Sequence, residues 1–181
     1  MEFSELSINL TKTLSKEEKK RNGIFFTPQT TVKKSVDKLK EYLNTEDTHV
    51  ILEPSCGSCE FINELQHNFK NSSITGIEYN KQIFDSIQQF KNKNTQIKNL
   101  DFLKFKTEHK FNIIIGNPPY FVIKKNEVDN KYNKYYDGRP NIFILFIIKS
   151  LKLLKDNGIL CFVLPSNFTN CLYYDKTRKY I

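Results

Sequence analysis

The chain has 181 residues, 39% apolar and 27% charged, and its 28 Lys and Arg against 20 Asp and Glu leave a formal charge of +8. This length suits one domain with a real core rather than two, and the composition excludes a disordered or collagen-like chain. The positive balance is compatible with a nucleic-acid partner without requiring one.

Residues 1–22 are rich in charge, with the stretch Leu14–Arg21 reading as a solvated helix or arm. No signal-peptide pattern occurs at Met1–Leu10. Gly23-Ile24-Phe25-Phe26-Thr27-Pro28 forms an apolar hinge, after which Thr30 or Thr31 is expected to cap a helix with Val32, Val36, Leu39 and Leu43 on one face. Val50-Ile51-Leu52 reads as a buried strand ending at Glu53-Pro54. A small-residue turn, Ser55-Cys56-Gly57-Ser58-Cys59, leads from it into a helix with Phe61, Ile62 and Leu65 inward. The rhythm repeats with a strand over Ser73–Glu78, a helix over Asn80–Phe90, a short strand over Thr95–Asn99 that leads to Asp101, and a strand over Phe111–Gly116. Asn141–Leu154 is a strongly apolar helix whose core, Ile142–Ile148, is too short to cross a membrane. Ile159–Leu164 is a fifth strand, and Phe168–Ile181 begins another helix. Strands alternating with helices predict an α/β fold with a mostly parallel sheet covered on both faces.

Four consecutive strands end on or just before polar residues: Glu53, Glu78, Asp101 and Asn117. Each carboxylate alone could do no more than cap a helix. Together they define a site, because ligands of open parallel sheets bind outside the carboxyl ends of the strands. Glu78 is placed where an acid can accept both hydroxyls of a ribose. The last of these strand ends opens Asn117-Pro118-Pro119-Tyr120. Two prolines stiffen this corner and remove two backbone donors, leaving the Asn117 side-chain oxygen and the Pro118 carbonyl as acceptors beside the Tyr120 ring. That combination suits a planar substrate with an exocyclic amine.

Cys56-x-x-Cys59 at the start of a helix also resembles a thioredoxin-type redox pair, but that reading leaves the later motifs unexplained. The histidines and the remaining cysteines, Cys161 and Cys171, form no metal-ligand spacing, and four cysteines without a disulfide framework predict a reducing, intracellular setting, cytoplasmic or nucleoid-associated. Phe121–Pro140 lacks apolar periodicity and interleaves Lys124, Lys125, Lys131, Lys134 and Arg139 with Tyr132, Tyr135 and Tyr136. It reads equally as a nucleic-acid-binding loop, with lysines for the backbone and tyrosines for bases, and as a mobile basic surface loop.

These residues together resemble the S-adenosylmethionine-dependent N6-adenine DNA methyltransferases, in which the cofactor motifs precede the catalytic one. The resemblance runs over nearly the whole chain and implies a Rossmann-like class I methyltransferase fold for residues 23–181. It assigns Gly23–Pro28, with Thr27 and Pro28, to the methionine part of the cofactor and Glu53, Pro54, Cys56 and Gly57 to the first cofactor loop. Glu78 with Tyr79 is assigned to the ribose, Asp101 and Phe102 to the cofactor adenine, and Asn117, Pro118, Pro119 and Tyr120 to catalysis, Asn117 also touching the cofactor. Ile159–Asn167 resembles the strand and turn that follow. Two departures stand out. Cys59 replaces a glycine, which would cost on the order of 1–2 kcal/mol if that position has φ > 0. Only five strands are counted where the family has seven followed by a target-recognition region, so a partner chain is expected to supply what is missing if the chain is not a fragment.

The implied activity is site-specific methylation of a flipped adenine in DNA at N6. An N-methyltransferase acting on a protein glutamine or on RNA uses the same tetrapeptide, and a non-catalytic module that binds nucleic acid or a partner chain is the alternative from another class. No metal and no membrane partner is expected.

Overall fold

The computed structural model describes residues 2–181. Its five-stranded sheet is parallel throughout, in the order β3-β2-β1-β4-β5, with β1 at Val50–Glu53, β2 at Ser73–Glu78, β3 at Thr95–Asn99, β4 at Phe111–Gly116 and β5 at Leu154–Phe162. The order reverses between β1 and β4, which makes the carboxyl ends of these two strands the topological switch point.

Side chains alternate between the faces. On β4, Ile113 and Ile115 join one core cluster with α3 (Gln29–Lys40) and α4 (Glu60–Asn68), whereas Ile114 joins another beneath α6 (Ile142–Leu153), as does Phe111 beyond an irregularity in the register. Both faces are thus covered, as the near-continuous apolar strands require. Val32, Val36 and Leu39 of α3 are buried, as their spacing predicts. The cap is different: Pro28, not Thr30 or Thr31, is the N-cap, and its carbonyl accepts from the amides of Thr31 and Val32 at 2.9 and 3.1 Å. The helix expected over Asn80–Phe90 is α5 (Lys81–Ser86) followed by a separate 3-10 turn at Gln88–Phe90.

The N-terminal stretch forms two helices, α1 (Glu5–Thr13) and α2 (Lys16–Asn22), rather than a free arm. Leu10 and Leu14 are buried in the core, and Ser7 Oγ bonds Ser58 Oγ at 2.8 Å and Glu60 Oε1 at 2.7 Å, tying α1 to the start of α4. At the other end, the strand expected to begin at Ile159 already starts at Leu154. The helix expected over Phe168–Ile181 is two 3-10 turns, at Ser166–Phe168 and Leu172–Tyr174, before α7 (Asp175–Tyr180).

The segment 121–140 is not structureless. It carries 3-10 turns at Lys125–Glu127 and Asn130–Tyr135 and buries Val128, Tyr132, Tyr135 and Tyr136 against α6. These tyrosine rings are core, which corrects the reading of them as platforms for bases.

Candidate active site

The carboxyl edge of the sheet encloses a cavity of about 440 Å³ whose wall includes Pro54, Ser55, Gly57, Glu78, Tyr79, Asp101, Phe102 and Asn117. A narrow extension, sharing Phe25, Ser55, Gly57 and Asn117 with it, is lined by Thr27, Glu53 and Cys56. The structure therefore brings the predicted strand-end residues to one place. Pro28, Pro118 and Tyr120 stand outside both linings.

The first loop is built around Glu78. Its Oε2 accepts from the Gly57 amide at 2.8 Å and its Oε1 from the Asn80 amide at 2.7 Å, so one carboxylate fixes both the turn after β1 and the start of α5. Burial nevertheless raises its pKa from 4.5 to about 7 against the lowering effect of those amides. The folded protein then holds a proton that the unfolded chain releases between pH 4.5 and 7. Stability contributed by this group is full below pH 4.5 and is lost as pH rises through 7, by up to about 3 kcal/mol. Urea denaturation is expected to show a lower midpoint at pH 8 than at pH 5, with the difference reduced in Glu78→Gln.

Glu53 is more extreme. It is 1% exposed, its Oε2 has no hydrogen-bond partner among the described residues, and burial, with Glu78 and Glu60 nearby, drives its pKa well above the carboxylate range. An acid so placed favours a cationic or donor-rich ligand group beside it.

Cys59 has φ 63, the left-handed conformation that was the condition for its cost. Cys56 and Cys59 are buried free thiols whose pKa values burial raises, the opposite of a reactive thiolate, so the redox reading fails.

At the end of β4, the Asn117 amide nitrogen donates to Thr27 Oγ1 at 3.0 Å and to the Phe25 carbonyl at 3.3 Å, which sets the orientation of the amide. Tyr120 folds its hydroxyl back over the proline corner toward Asn117 Oδ1 and the Val163 carbonyl. The expectation of acceptors without competing donors thus needs correction at Asn117, whose oxygen keeps one lone pair free. Pro118 meets it: among the described residues no donor reaches its carbonyl. Burial pushes the Tyr120 phenol pKa upward, so it remains a neutral donor. Its ring stands 6.0 Å from Phe143 and 6.2 Å from Phe25.

Gly23 makes this corner possible. It closes α2 at φ 60, and a Cβ there would meet Phe121 Cδ1 at 2.7 Å and the Tyr120 amide nitrogen at 2.8 Å. Gly23→Ala is expected to destabilise the protein by about 1–3 kcal/mol, read as a lower urea midpoint.

Lys124, Lys125, Lys131, Lys134 and Arg139 are all exposed, as a contact to phosphates requires. Lys131 pairs with Asp129 at 2.7 Å, and the ammonium groups of Lys131 and Lys134 lie 5.3 and 5.0 Å from the rings of Tyr132 and Tyr135. Sequence reasoning read α2 as a solvated helix or arm and missed its place at the site, where Arg21 and Asn22 wall the cavity and Glu18 accepts from the Asn80 side chain at 2.6 Å. An all-polar helix carries no apolar face to say what it lies against.

Residues 2–181 match the family described as Eco57I restriction-modification methylase. The modification methylase CviBIII of Paramecium bursaria Chlorella virus NC1A is 37% identical over 182 residues, covering 99% of this chain and 47% of the relative. The type II methyltransferase M.CvrRI of Paramecium bursaria Chlorella virus XZ-6E is 36% identical, covering 97% of this chain and 44% of the relative. The chain thus spans about half the length of these curated relatives. A Listeria monocytogenes protein assigned to the class I S-adenosylmethionine-dependent methyltransferases superposes with a TM-score of 0.76 at 16% identity, over 97% of this chain and 55% of that one. It shares the fold.

Proposed function

The chain belongs to the Eco57I restriction-modification methylase family, and on that premise we propose that it is the cofactor-binding and catalytic part of an S-adenosylmethionine-dependent DNA methyltransferase acting on the N6 amine of adenine. The observation that carries the reading is that Asn117 and Pro119 of the proline corner line the same cavity as Glu78 and Asp101, at the carboxyl edge of the sheet beside its switch point.

The donor and acceptor set fits the cofactor. Glu78, with both oxygens already aligned by amides, has further lone pairs for ribose hydroxyls. The unpartnered Oε2 of Glu53 suits the methionine ammonium, and Asp101 and Phe102 suit the adenine. Bound there, S-adenosylmethionine would supply an electrophilic methyl group.

The protein's own contribution is placement. The amine of adenine is a poor nucleophile because its lone pair is delocalised into the ring. The Pro118 carbonyl and the free lone pair of Asn117 Oδ1 accept its two hydrogens and favour a pyramidal nitrogen. Thr27 and the Phe25 carbonyl keep the Asn117 amide from rotating. Transfer would break the sulfonium–methyl bond, leaving neutral S-adenosylhomocysteine, and the cationic methylated nitrogen is acidic enough to give its proton to water, so these acceptors suffice without a strong base. A base reaching this corner must leave its duplex, and Tyr120 offers an aromatic surface in place of the lost stacking. The exposed Lys124, Lys125, Lys131, Lys134 and Arg139 are assigned to the DNA phosphates, and a second chain to target recognition.

The test is to incubate double-stranded DNA with the protein and methyl-labelled S-adenosylmethionine, digest it, and separate the nucleosides. Label in N6-methyladenine is expected. No label in the DNA nucleosides, with label instead in RNA or in protein glutamine when these are offered in parallel, would contradict the reading.

A further inference from the structure

Lys149, on α6, turns its side chain inward instead of toward solvent. Its Nζ donates to the carbonyl oxygens of Leu103 at 2.9 Å and Phe105 at 2.6 Å, and lies 5.1 Å from the centre of the Phe102 ring. These groups belong to the 3-10 turn at Phe102–Lys104, which with Asp101 forms one wall of the cavity. The turn follows β3, the edge strand of the sheet, so no ladder holds its outer side. Within the turn, Asp101 Oδ1 accepts only from the Leu103 amide, a bond internal to it. Phe102 is seated in the core against Leu52, Ile77 and Ile114 of the sheet and against Phe146 of α6, whose ring centre is 4.8 Å away, and the hydrogen bonds that hold the turn's outward carbonyls come from Lys149, one helical turn after Phe146.

We infer that Lys149 is a positioning residue for the adenine end of the cofactor cavity, acting through the turn that carries Asp101 and Phe102. The inference rests on the reading of the cavity as the cofactor site. A half-buried ammonium is an expensive cross-link, since carbonyls supply no counter-charge. Burial, with repulsion from Lys131 of the 121–140 segment and opposed by attraction to Asp101, lowers its pKa to about 8. The charged form makes the stronger hydrogen bonds to carbonyls, so the clasp weakens as pH rises above that value.

The experiment is calorimetric titration of the whole chain with S-adenosylhomocysteine. At pH 7.5, Lys149→Met is expected to weaken binding about tenfold, the scale of one charge-assisted hydrogen bond, and Lys149→Arg to return it to within about threefold. In the unsubstituted protein, affinity should also fall between pH 7.5 and 9.5, and this limb should be about tenfold shallower in Lys149→Met, which keeps only the share due to the ligand's own ammonium. A purely structural role would move neither the limb nor the rescue. Equal affinity in Lys149→Met, or a flat basic limb in the unsubstituted protein, would overturn the inference alone. No binding by the unsubstituted protein would overturn the cofactor reading and this inference with it. If Lys149→Met does not fold, the Arg variant and the pH limb still decide.

Discussion

Asn117→Ala is expected to lower methyl transfer to DNA adenine by about 100–1000-fold, the range for removal of one preorganised polar group at a reacting centre. Cofactor affinity should change by no more than about threefold, because the cavity's acids, Glu53, Glu78 and Asp101, are untouched. The split arises from geometry. The Asn117 amide is held by Thr27 and the Phe25 carbonyl and directs its oxygen along the proline corner, so its loss removes an acceptor for the substrate amine. It also leaves the Tyr120 hydroxyl with the Val163 carbonyl alone, which keeps the tyrosine in place. Undiminished N6-methyladenine formation in the variant would sink this account of the corner.

Glu78→Ala should act in the opposite sense, on binding. Its two oxygens organise the Gly57 and Asn80 amides and face the cavity, so removal should weaken S-adenosylmethionine binding by at least about 100-fold, the equivalent of two charged hydrogen bonds. The unliganded protein should tolerate the change at pH 8, where an ionised buried carboxylate with pKa about 7 is a burden on stability. Affinity in the unsubstituted protein should fall about tenfold from pH 8 to pH 6 as the carboxylate gains its proton. Calorimetry across pH 6–8 and urea titration of both proteins measure the two effects separately.

Much of this was legible in the residues. Apolar triplets such as Val50-Ile51-Leu52 announce buried parallel strands, and polar residues at their ends mark the edge where a ligand binds. What escaped has physical causes. The three tyrosines of 121–140 look like a binding surface because each carries a hydroxyl, yet their rings fill the space beside α6, which no local period reveals. Leu10 and Leu14 are too few to distinguish a docked helix from a solvated one, and the buried Ser7 that completes the contact reads as polar. The Tyr120 hydroxyl meets Asn117 Oδ1 through a backbone reversal at two prolines, which sequence spacing could not give. Lys149 directly follows the apolar run Ile142–Ile148, and only the carbonyls of a distant turn reveal its direction.

The central claim is that the cavity at the switch point holds S-adenosylmethionine with Glu78 as its principal anchor. Calorimetric titration of the unsubstituted chain and of Glu78→Ala with S-adenosylmethionine at pH 8 tests it most directly. Saturable binding at one site per chain, lost in the variant, is the predicted result. Absence of binding at millimolar cofactor, or equal binding in both proteins, would contradict it.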